Sequence, residues 1–382
     1  MASFPTSAWR PWARAAALVL AAALLSASAL ASASAPAFAQ DKEQQPALRY
    51  FRIGTSASDG SYFPIGGLIA SAISSPPGAR SCDQGGSCGV PGLIAIAQST
   101  QGSVENVELI GKGRIESGLS QANVAHDAYA GRDRFARAPV RTLRAIAGLY
   151  REEVQIVVRA DSGIRDVRDL RGKRIGVGAQ GSGTLLDAEL ILDAYRVRRN
   201  QVHYQMLKPG EATDALKNQR IDALFMVAGA PNGLIADLAQ SVPIRLLPIS
   251  DQKFAELKRA HSSFGLATIP AGTYRGVGEV SALSIAAVWL TSSNVDAELV
   301  YGITKALWNG NARKLLDTGG PDGRQITLAT ALDGVDIPLH PGAERFYREV
   351  GLIKEAVAKT PSPTPTPAPT QNPPIPTPPP AQ

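Results

Sequence analysis

Residues 175–192 join a short apolar strand to a helix through a glycine-rich loop. Its four glycines, which allow a sharp turn and a close approach to a bound molecule, are Gly176, Gly178, Gly181 and Gly183. Residues 182–184 then leave free backbone N–H groups at the start of the helix 185–195, and such a helix start attracts anions. The stretch therefore predicts a strand–loop–helix unit with a small-anion site at the helix N-terminus.

The same letters satisfy the pattern G-x-G-x-x-G of dinucleotide-binding proteins. A nicotinamide site also needs a carboxylate at the end of the next strand, about 20 residues on, to hold the ribose. Here that strand, residues 202–207, runs into Met206, Leu207 and Lys208. A dinucleotide is thus disfavoured, and a glycine turn with a purely structural role remains the alternative to an anion site.

The N-terminus predicts export. Residues 1–39 contain two arginines, an apolar run and small residues that end in Ala37-Phe38-Ala39, which is the pattern of a cleavable signal peptide. A retained anchor is the alternative, but the apolar run, residues 15–25, is shorter than the roughly 20 residues of a spanning helix. We expect a periplasmic protein that begins at Gln40 and is not inserted in the membrane after cleavage.

Composition adds limits on size and partners. A chain of 382 residues with 44% hydrophobic content can fill two cores. Removing the two arginines of the signal peptide lowers the formal charge from +6 to +4, and the remaining basic residues are dispersed among acids. Nucleic acid is therefore not an expected partner.

Two cysteines, Cys82 and Cys88, lie in a glycine-rich loop. In an exported protein such a pair most often forms a disulfide. A metal site is not expected, because none of the four histidines (His126, His203, His261 and His340) stands at ligand spacing to these thiols or to another histidine.

From Tyr50 onwards, short strands alternate with helices, which is typical of α/β units on mainly parallel sheets. The predicted strands are 50–54, 93–98, 144–149, 154–159, 202–207, 223–227, 244–248 and 280–290, and the predicted helices include 102–111, 123–130, 185–195, 296–309 and 342–356. We place a first crossing between lobes at 150–153, and the strand 280–290 returns to the first lobe.

Three motifs, together with residues 227–231, resemble the TAXI subfamily of substrate-binding proteins of tripartite ATP-independent periplasmic (TRAP) transporters. The motifs are residues 53–66, 97–131 and 175–184. The resemblance implies a two-lobed periplasmic binding protein fold (type II-like) with a cleft between the lobes. It also implies an exported receptor without catalysis or cofactor, which delivers a small organic acid to TRAP membrane subunits.

The domain organisation expected from this resemblance is discontinuous. Residues 40–150 plus 276–358 would form lobe 1, and residues 151–275 would form lobe 2. The tail 359–382 is rich in proline and threonine and predicts a disordered spacer, with a motif for a partner domain as the alternative.

The resemblance also implies the ligand-binding residues. They are Thr55, Ser56, Ser61 and Tyr62 in the first loop, Ser99 and Thr100 in the second, Gln121 and Asn123 after the third strand, Gly181, Ser182, Gly183 and Thr184 at the helix start, and Phe225 and Val227 on the far wall. Two features depart from the subfamily: residues 56–59 replace usual glycines, and Asn123 stands where an acid is common. Asp59 would repel an anion if it faced the pocket.

The ligand expected from this set is an amino acid or a dicarboxylate, such as glutamate or 2-oxoglutarate, bound by closure of the lobes. Two other functions remain alternatives: a ligand sensor partnered with a sensor kinase, and an exported enzyme. Against an enzyme, Ser182 lacks the flanking glycines of G-x-S-x-G. His126 and Asp127, as neighbours on a helix, point in different directions.

Overall fold

The computed structural model describes residues 47–354, so the predicted signal peptide (1–39) and proline-rich tail (359–382) lie outside the described residues. The strands are β1 (Arg49–Gly54), β2 (Ser74–Ser75), β3 (Val90–Pro91), β4 (Leu93–Gln98), β5 (Ser117–Gln121), β6 (Leu143–Arg159), β7 (Arg174–Gly176), β8 (His203–Gln205), β9 (Ala223–Ala228), β10 (Ile244–Leu246), β11 (Gly265–Ile269) and β12 (Val280–Ser292). The helices are α1 (Tyr62–Ile73), α2 (Ser103–Gly111), α3 (Ala122–Ala130), α4 (Gly183–Ala194), α5 (Pro209–Lys217), α6 (Gly233–Ser241), α7 (Asp251–Ala260), α8 (Ala297–Leu307), α9 (Gly310–Asp317), α10 (Gly320–Gln325) and α11 (Pro341–Glu349).

One mixed sheet has the strand order β4-β1-β5-β12-β6-β9-β7-β8, with β10 added to β6 and β11 added to β12. The strands β4, β1 and β5 are parallel and form what we call the first triplet. The strands β9, β7 and β8 are also parallel and form the second triplet. Between the triplets, β12 and β6 pair antiparallel to each other. This confirms the mixed α/β, two-lobed fold, whereas the lobe boundaries remain predictions.

The strand β6 differs from the sequence prediction. The two predicted strands 144–149 and 154–159 are one continuous strand of 17 residues. Its first part pairs with β12, and from Glu153 onwards it also pairs with β9 of the second triplet. The polar residues 151–153, where the sequence predicts a break, are extended. At Glu153 the pairing of β6 with β12 ends and its pairing with β9 begins.

Local chemistry explains where the helices that face the sheet edge begin. The Ser182 Oγ accepts a hydrogen bond of 3.1 Å from Leu185 N, which caps α4. The Asn232 Oδ1 accepts from Leu234 N and Ile235 N and caps α6. Pro209 occupies the first position of α5, where the missing N–H costs nothing. Each of these helices therefore starts just beyond the carboxyl end of a strand of the second triplet.

Three clusters of buried apolar residues stabilise the fold. One lies under the first triplet and includes Phe51, Trp289 and Tyr347. A second lies between α5, α6 and β9. The third is the largest and joins α2 and α3 to α4, so it spans both triplets. No helix within residues 47–354 has the length and apolar character needed to cross a membrane.

The predicted disulfide is confirmed. Cys82 and Cys88 are bonded, with a separation of 4.6 Å between their Cα atoms. Residues 82–88 are exposed or half-buried, and the bridge closes a loop between α1 and β4.

Candidate functional site

A cavity opens between the two triplets, at the carboxyl ends of their strands. Its lining comes from the loop after β1, the start of α2, the end of β5, the middle of β6, the loop before α4, the start of α5 and the end of β9. The lining residues are Ser56, Ala57, Asp59, Gly60, Ser61, Tyr62, Gln101, Gly102, Ser103, Gln121, Glu152, Gly178, Ala179, Ser182, Gly183, Thr184, Leu207, Pro209, Ala212, Phe225, Met226, Val227, Ala228 and Asn232. This edge is where open α/β sheets bind ligands.

Nine of the fourteen residues expected to bind ligand line this cavity. They are Ser56, Ser61, Tyr62, Gln121, Ser182, Gly183, Thr184, Phe225 and Val227. They come from both triplets, so the fold brings together side chains that lie far apart in the sequence.

The other five residues are not among the lining residues and make structural contacts. Thr55 is fully buried, and its Oγ1 donates a 2.8 Å hydrogen bond to Gln98 O. Thr100 Oγ1 lies 3.1 Å from Thr55 O, and Ser99 Oγ donates to Ser56 O at 2.9 Å. These three hydroxyls hold the loops after β1 and β4 together.

Asn123 and Gly181, the last two of the five, take part in contacts that join α3 and α2 to α4 and the loop before it. Asn123 Nδ2 donates a 2.7 Å hydrogen bond to Asp187 Oδ1 on α4. The carbonyl of Gly181 accepts from Glu105 N of α2 at 3.1 Å. These two contacts hold α3 against α4, and α2 against the loop that precedes α4.

The start of α4 has the backbone geometry expected of an anion site. Gly178 and Gly181 have φ angles of 90° and 87°, which favour glycine. Gly183 packs so closely that a Cβ at this position would overlap Gln121 Oε1. Since Gly183 and Thr184 are the first two residues of α4, their N–H groups lack partners within the helix and lie at the cavity wall.

Glu152, at the middle of β6, is a cavity residue that sequence analysis missed. It is 1% exposed, and its Oε2 accepts a 2.7 Å hydrogen bond from Tyr62 Oη. Ser61 Oγ donates to the other oxygen at 3.4 Å. Burial raises the pKa of Glu152 well above its usual value, and the nearby Asp322 and Asp187 raise it further. The signal in the sequence was the pair of acids at 152–153, inside the predicted crossing between lobes.

A second acid, Asp59, also lines the cavity. Its Oδ2 accepts a 2.7 Å hydrogen bond from Gly210 N at the start of α5, which joins the loop after β1 to the second triplet. Among the lining residues there is no lysine, arginine or histidine. The cavity therefore combines two carboxyl groups with the positive end of a helix, and none of its lining side chains carries a positive charge.

The lining residue Gln121 and the buried Asp187, which is not a lining residue, have unused hydrogen-bonding capacity. Gln121 Oε1 and Asp187 Oδ2 are buried and have no hydrogen-bond partner among residues 47–354. Asp187 is fully buried, and burial raises its pKa to about 7. Buried polar atoms without partners are costly, so Gln121 Oε1 in the lining favours a guest that supplies a hydrogen-bond donor.

The far wall is apolar. Phe225, Met226 and Val227, on β9, are less than 10% exposed, and Leu207, Pro209 and Ala212 extend the surface. Asn232 adds a polar group at the end of this wall. Such a surface suits an uncharged part of a ligand.

Comparison with proteins of known structure gives matches at low identity. PhnD1 from Prochlorococcus marinus (MIT 9301), in complex with methylphosphonate, is 11% identical with a TM-score of 0.45, over 80% of this chain and 99% of that one. The alkanesulfonate-binding protein SsuA from Xanthomonas axonopodis pv. citri, bound to MOPS, is 16% identical with a TM-score of 0.42, over 79% and 84%. An ancestral arginine-binding protein bound to arginine is 16% identical with a TM-score of 0.42, over 72% and 99%. TM-scores below 0.5 assign neither ligand nor function to this chain.

The sequence itself carries the family assignment. The pattern of the NMT1-like family matches residues 53–351, which is most of the chain. The matched region contains both long strands and every residue that lines the cavity. The chain therefore belongs to the NMT1-like family.

Proposed function

We propose that this protein is a periplasmic solute receptor of the TAXI type, which binds a small α-amino acid between its two lobes and delivers it to the membrane subunits of a TRAP transporter. The observation that carries the proposal is the cavity with Glu152 buried in one wall and the start of α4 in another. The motifs at residues 53–66, 97–131 and 175–184 support the transporter class, and the signal peptide predicted at 1–39 supports the periplasm.

The lobes in this proposal are residues 40–150 plus 276–358 and residues 151–275. The passage of β6 from β12 pairing to β9 pairing at residues 150–153 supports this division. Contacts between the two parts, such as Asp59 Oδ2 to Gly210 N, are those expected of a closed arrangement.

The carboxylate of the ligand is assigned to the start of α4. The N–H groups of Gly183 and Thr184, together with the positive end of the helix dipole, stabilise a negative charge there. Gln121 and Ser103 pack against Gly183 and define one side of this pocket.

The ammonium group of the ligand is assigned to Glu152. A buried carboxylate is stabilised by a cation at hydrogen-bond distance, and an ammonium has three donors for Glu152 and for acceptors such as Gln121 Oε1. A cation there also lowers the pKa that burial has raised.

The side chain of the ligand is assigned to the apolar wall of Phe225, Met226 and Val227. Because no basic residue lines the cavity, a second carboxylate would lack a partner and would lie near Glu152 or Asp59. We therefore propose an amino acid with an uncharged side chain in preference to glutamate or 2-oxoglutarate.

Matched pairs of ligands test this assignment. Calorimetry on the mature protein would compare each amino acid with the acid in which an uncharged hydroxyl or keto oxygen replaces the ammonium group: alanine with lactate, valine with 2-oxoisovalerate, and glutamate with 2-oxoglutarate. We expect an amino acid with an uncharged side chain to bind at least about a hundredfold more tightly than its partner, because the partner offers Glu152 no cation. Equal affinity within the pairs would contradict the ammonium assignment.

Proton release provides an independent readout. Burial raises the pKa of Glu152, and a bound ammonium group lowers it again, so binding should release protons. We expect proton release, measured by calorimetry in buffers of different ionisation enthalpy, and an affinity that rises with pH. Proton uptake would indicate that Glu152 becomes protonated on binding and donates to an anionic ligand.

The partner is tested separately. Uptake of the bound amino acid into proteoliposomes that contain the transporter membrane subunits should require both this protein and an ion gradient. Ligand binding without uptake would favour the sensor-kinase alternative, and conversion of the ligand during incubation would indicate an enzyme.

A further inference from the structure

A histidine and two aspartates from separate elements converge outside the ligand cavity. They are Asp127 on α3, Asp133 in the turn that follows α3, and His261 at the end of α7. One ligand atom from each lies within 4.8 Å of those from the other two. The sequence does not predict a metal site here, because the three residues are far apart or irregularly spaced along the chain and come together only in the folded protein.

Asp127 is the unusual member of this group. It is 7% exposed, and among residues 47–354 its carboxylate accepts no hydrogen bond. Its closest charged partner is His261, with Nδ1 at 4.0 Å from Asp127 Oδ2, which is too long for a hydrogen bond. Buried carboxylates are normally paired or bound to metal, so a cation beside Asp127 would stabilise its charge.

The surroundings of Asp127 support the same conclusion. Asp127 and Asp133 bring carboxylate oxygens to within 4.8 Å of each other, so their negative charges repel. A divalent cation between them would remove this repulsion. Two ligand atoms that each bind a zinc ion at about 2.0–2.2 Å lie roughly 3.5 Å apart, so the observed separations require only a small contraction.

We propose that Asp127, Asp133 and His261 form a site for a divalent transition-metal ion of the zinc type, with water completing the coordination. One imidazole nitrogen and two carboxylate oxygens suit Zn²⁺ better than Mg²⁺ or Ca²⁺, which prefer oxygen ligands alone. Asp127 and Asp133 belong to the proposed lobe 1, and His261 belongs to the proposed lobe 2. A bound ion therefore links the two lobes and stabilises the arrangement in which α3 meets the end of α7.

The test is calorimetry with Zn²⁺ on tag-free mature protein that has been treated with a chelator and dialysed. We expect one ion per chain, and an affinity that falls about tenfold or more in Asp127→Asn and in His261→Gln. His203→Gln is the matched control, because His203 is exposed on β8 and should leave Zn²⁺ affinity unchanged. Mg²⁺ and Ca²⁺ should bind much more weakly.

Melting temperatures distinguish loss of the site from loss of the fold. Without metal, Asp127→Asn should melt at the same temperature as the wild type or higher, since it removes an unpaired buried charge. Zn²⁺ should raise the melting temperature of the wild type and not of the variant. Asp133→Asn provides a second variant at an exposed position, where misfolding is not expected. Absence of Zn²⁺ binding in the wild type, or unchanged affinity in all three variants, would overturn the proposal.

Discussion

The phenol oxygen of Tyr62 donates a 2.7 Å hydrogen bond to Oε2 of Glu152. Tyr62 is the first residue of α1, and Glu152 lies at the middle of β6, so the bond joins the first triplet to the strand that passes between the triplets. Both residues are buried and both line the cavity. The bond fixes the direction in which the carboxyl group faces a ligand.

Removing this donor should destabilise the protein. Tyr62→Phe deletes the hydroxyl and leaves Glu152 with the weaker contact to Ser61 at 3.4 Å. We expect a loss of about 1–3 kcal/mol in the free energy of unfolding, measured by urea denaturation. The control is Tyr50→Phe, since Tyr50 is 61% exposed on β1 and should change stability by less than about 0.5 kcal/mol.

The role of Glu152 in ligand binding can be tested by comparison with the neighbouring Glu153. Glu152→Gln removes the negative charge that we assign to the ligand ammonium, and affinity for the best amino acid should fall about a hundredfold or more. The same substitution at Glu153 should have little effect, because Glu153 is not among the lining residues and accepts from Ala230 N at 3.0 Å. Similar losses in both variants would indicate a general effect on β6 and remove Glu152 from the site.

Stability of the ligand-free protein should fall as the pH rises. Burial raises the pKa of Asp187 and of Glu153 to about 7, and that of Asp322 to about 6. Groups with a raised pKa contribute their stability below the unfolded value of about 4 and lose it as the pH passes the folded value. Melting temperatures between pH 5 and pH 8 should therefore decrease.

Asp187→Asn should flatten this dependence, since asparagine does not titrate. Asp214→Asn, an exposed position on α5, should leave the slope as in the wild type. A protein that becomes more stable between pH 5 and pH 8 would contradict the assignment of these buried carboxyls.

Two variants at the start of α4 test the carboxylate site. Thr184→Val keeps the side-chain shape and removes a hydroxyl, so affinity should fall about ten- to a hundredfold while ligand-free stability changes by less than about 1 kcal/mol. Gly183→Ala places a methyl group against Gln121 Oε1 and at 2.8 Å from Ser103 Oγ, and should abolish binding.

Gly233→Ala is the matched control, because Gly233 also begins a helix but has open space where a Cβ would lie. Calorimetry would measure the ligand affinity of Thr184→Val, Gly183→Ala and Gly233→Ala, and only Gly233→Ala should bind as the wild type does. Unchanged affinity in both Thr184→Val and Gly183→Ala would place the carboxylate elsewhere.

The disulfide should affect stability without affecting the ligand. Replacing Cys82 and Cys88 with serine opens a short loop that contributes about 2 kcal/mol through the entropy of the unfolded chain. Neither cysteine lines the cavity, so affinity should stay within about twofold of the wild type. A large loss of affinity in the double variant would show that this loop supports the site.

Much of the fold could be predicted because apolar periodicity follows burial. The strand β4 and the returning strand β12 were located from their continuous apolar runs, and α3 from its apolar face. The strand β6 was divided in two because residues 151–153 are polar. Only the pairing of β6 with β12 on one side and β9 on the other explains how that polar segment remains extended.

The site could be predicted where it depends on loops at strand ends, and not where it depends on strand register. Gly183 and Tyr62 line the cavity as expected. Thr55 and Asn123 lie at similar positions in the sequence, but neighbouring carbonyl and carboxylate groups hold their side chains behind the wall. An acid in the middle of a strand normally faces solvent, so Glu152 becomes recognisable as a buried group only when Tyr62 is placed against it.

The continuity of β6 and β12 has a consequence for ligand selection. Both strands run unbroken between the triplets, and the register of β12 on β6 shifts at Ala287/Val288, close to Tyr150. The lobe closure that we propose would therefore bend these paired strands near Glu152 and move the start of α4 with the second triplet. The distance between the two charges of the proposed ligand would then set the bend angle. A β-amino acid, whose charges lie one methylene further apart, would hold the protein at a different angle, and this receptor would measure the length of its ligand as well as its charge.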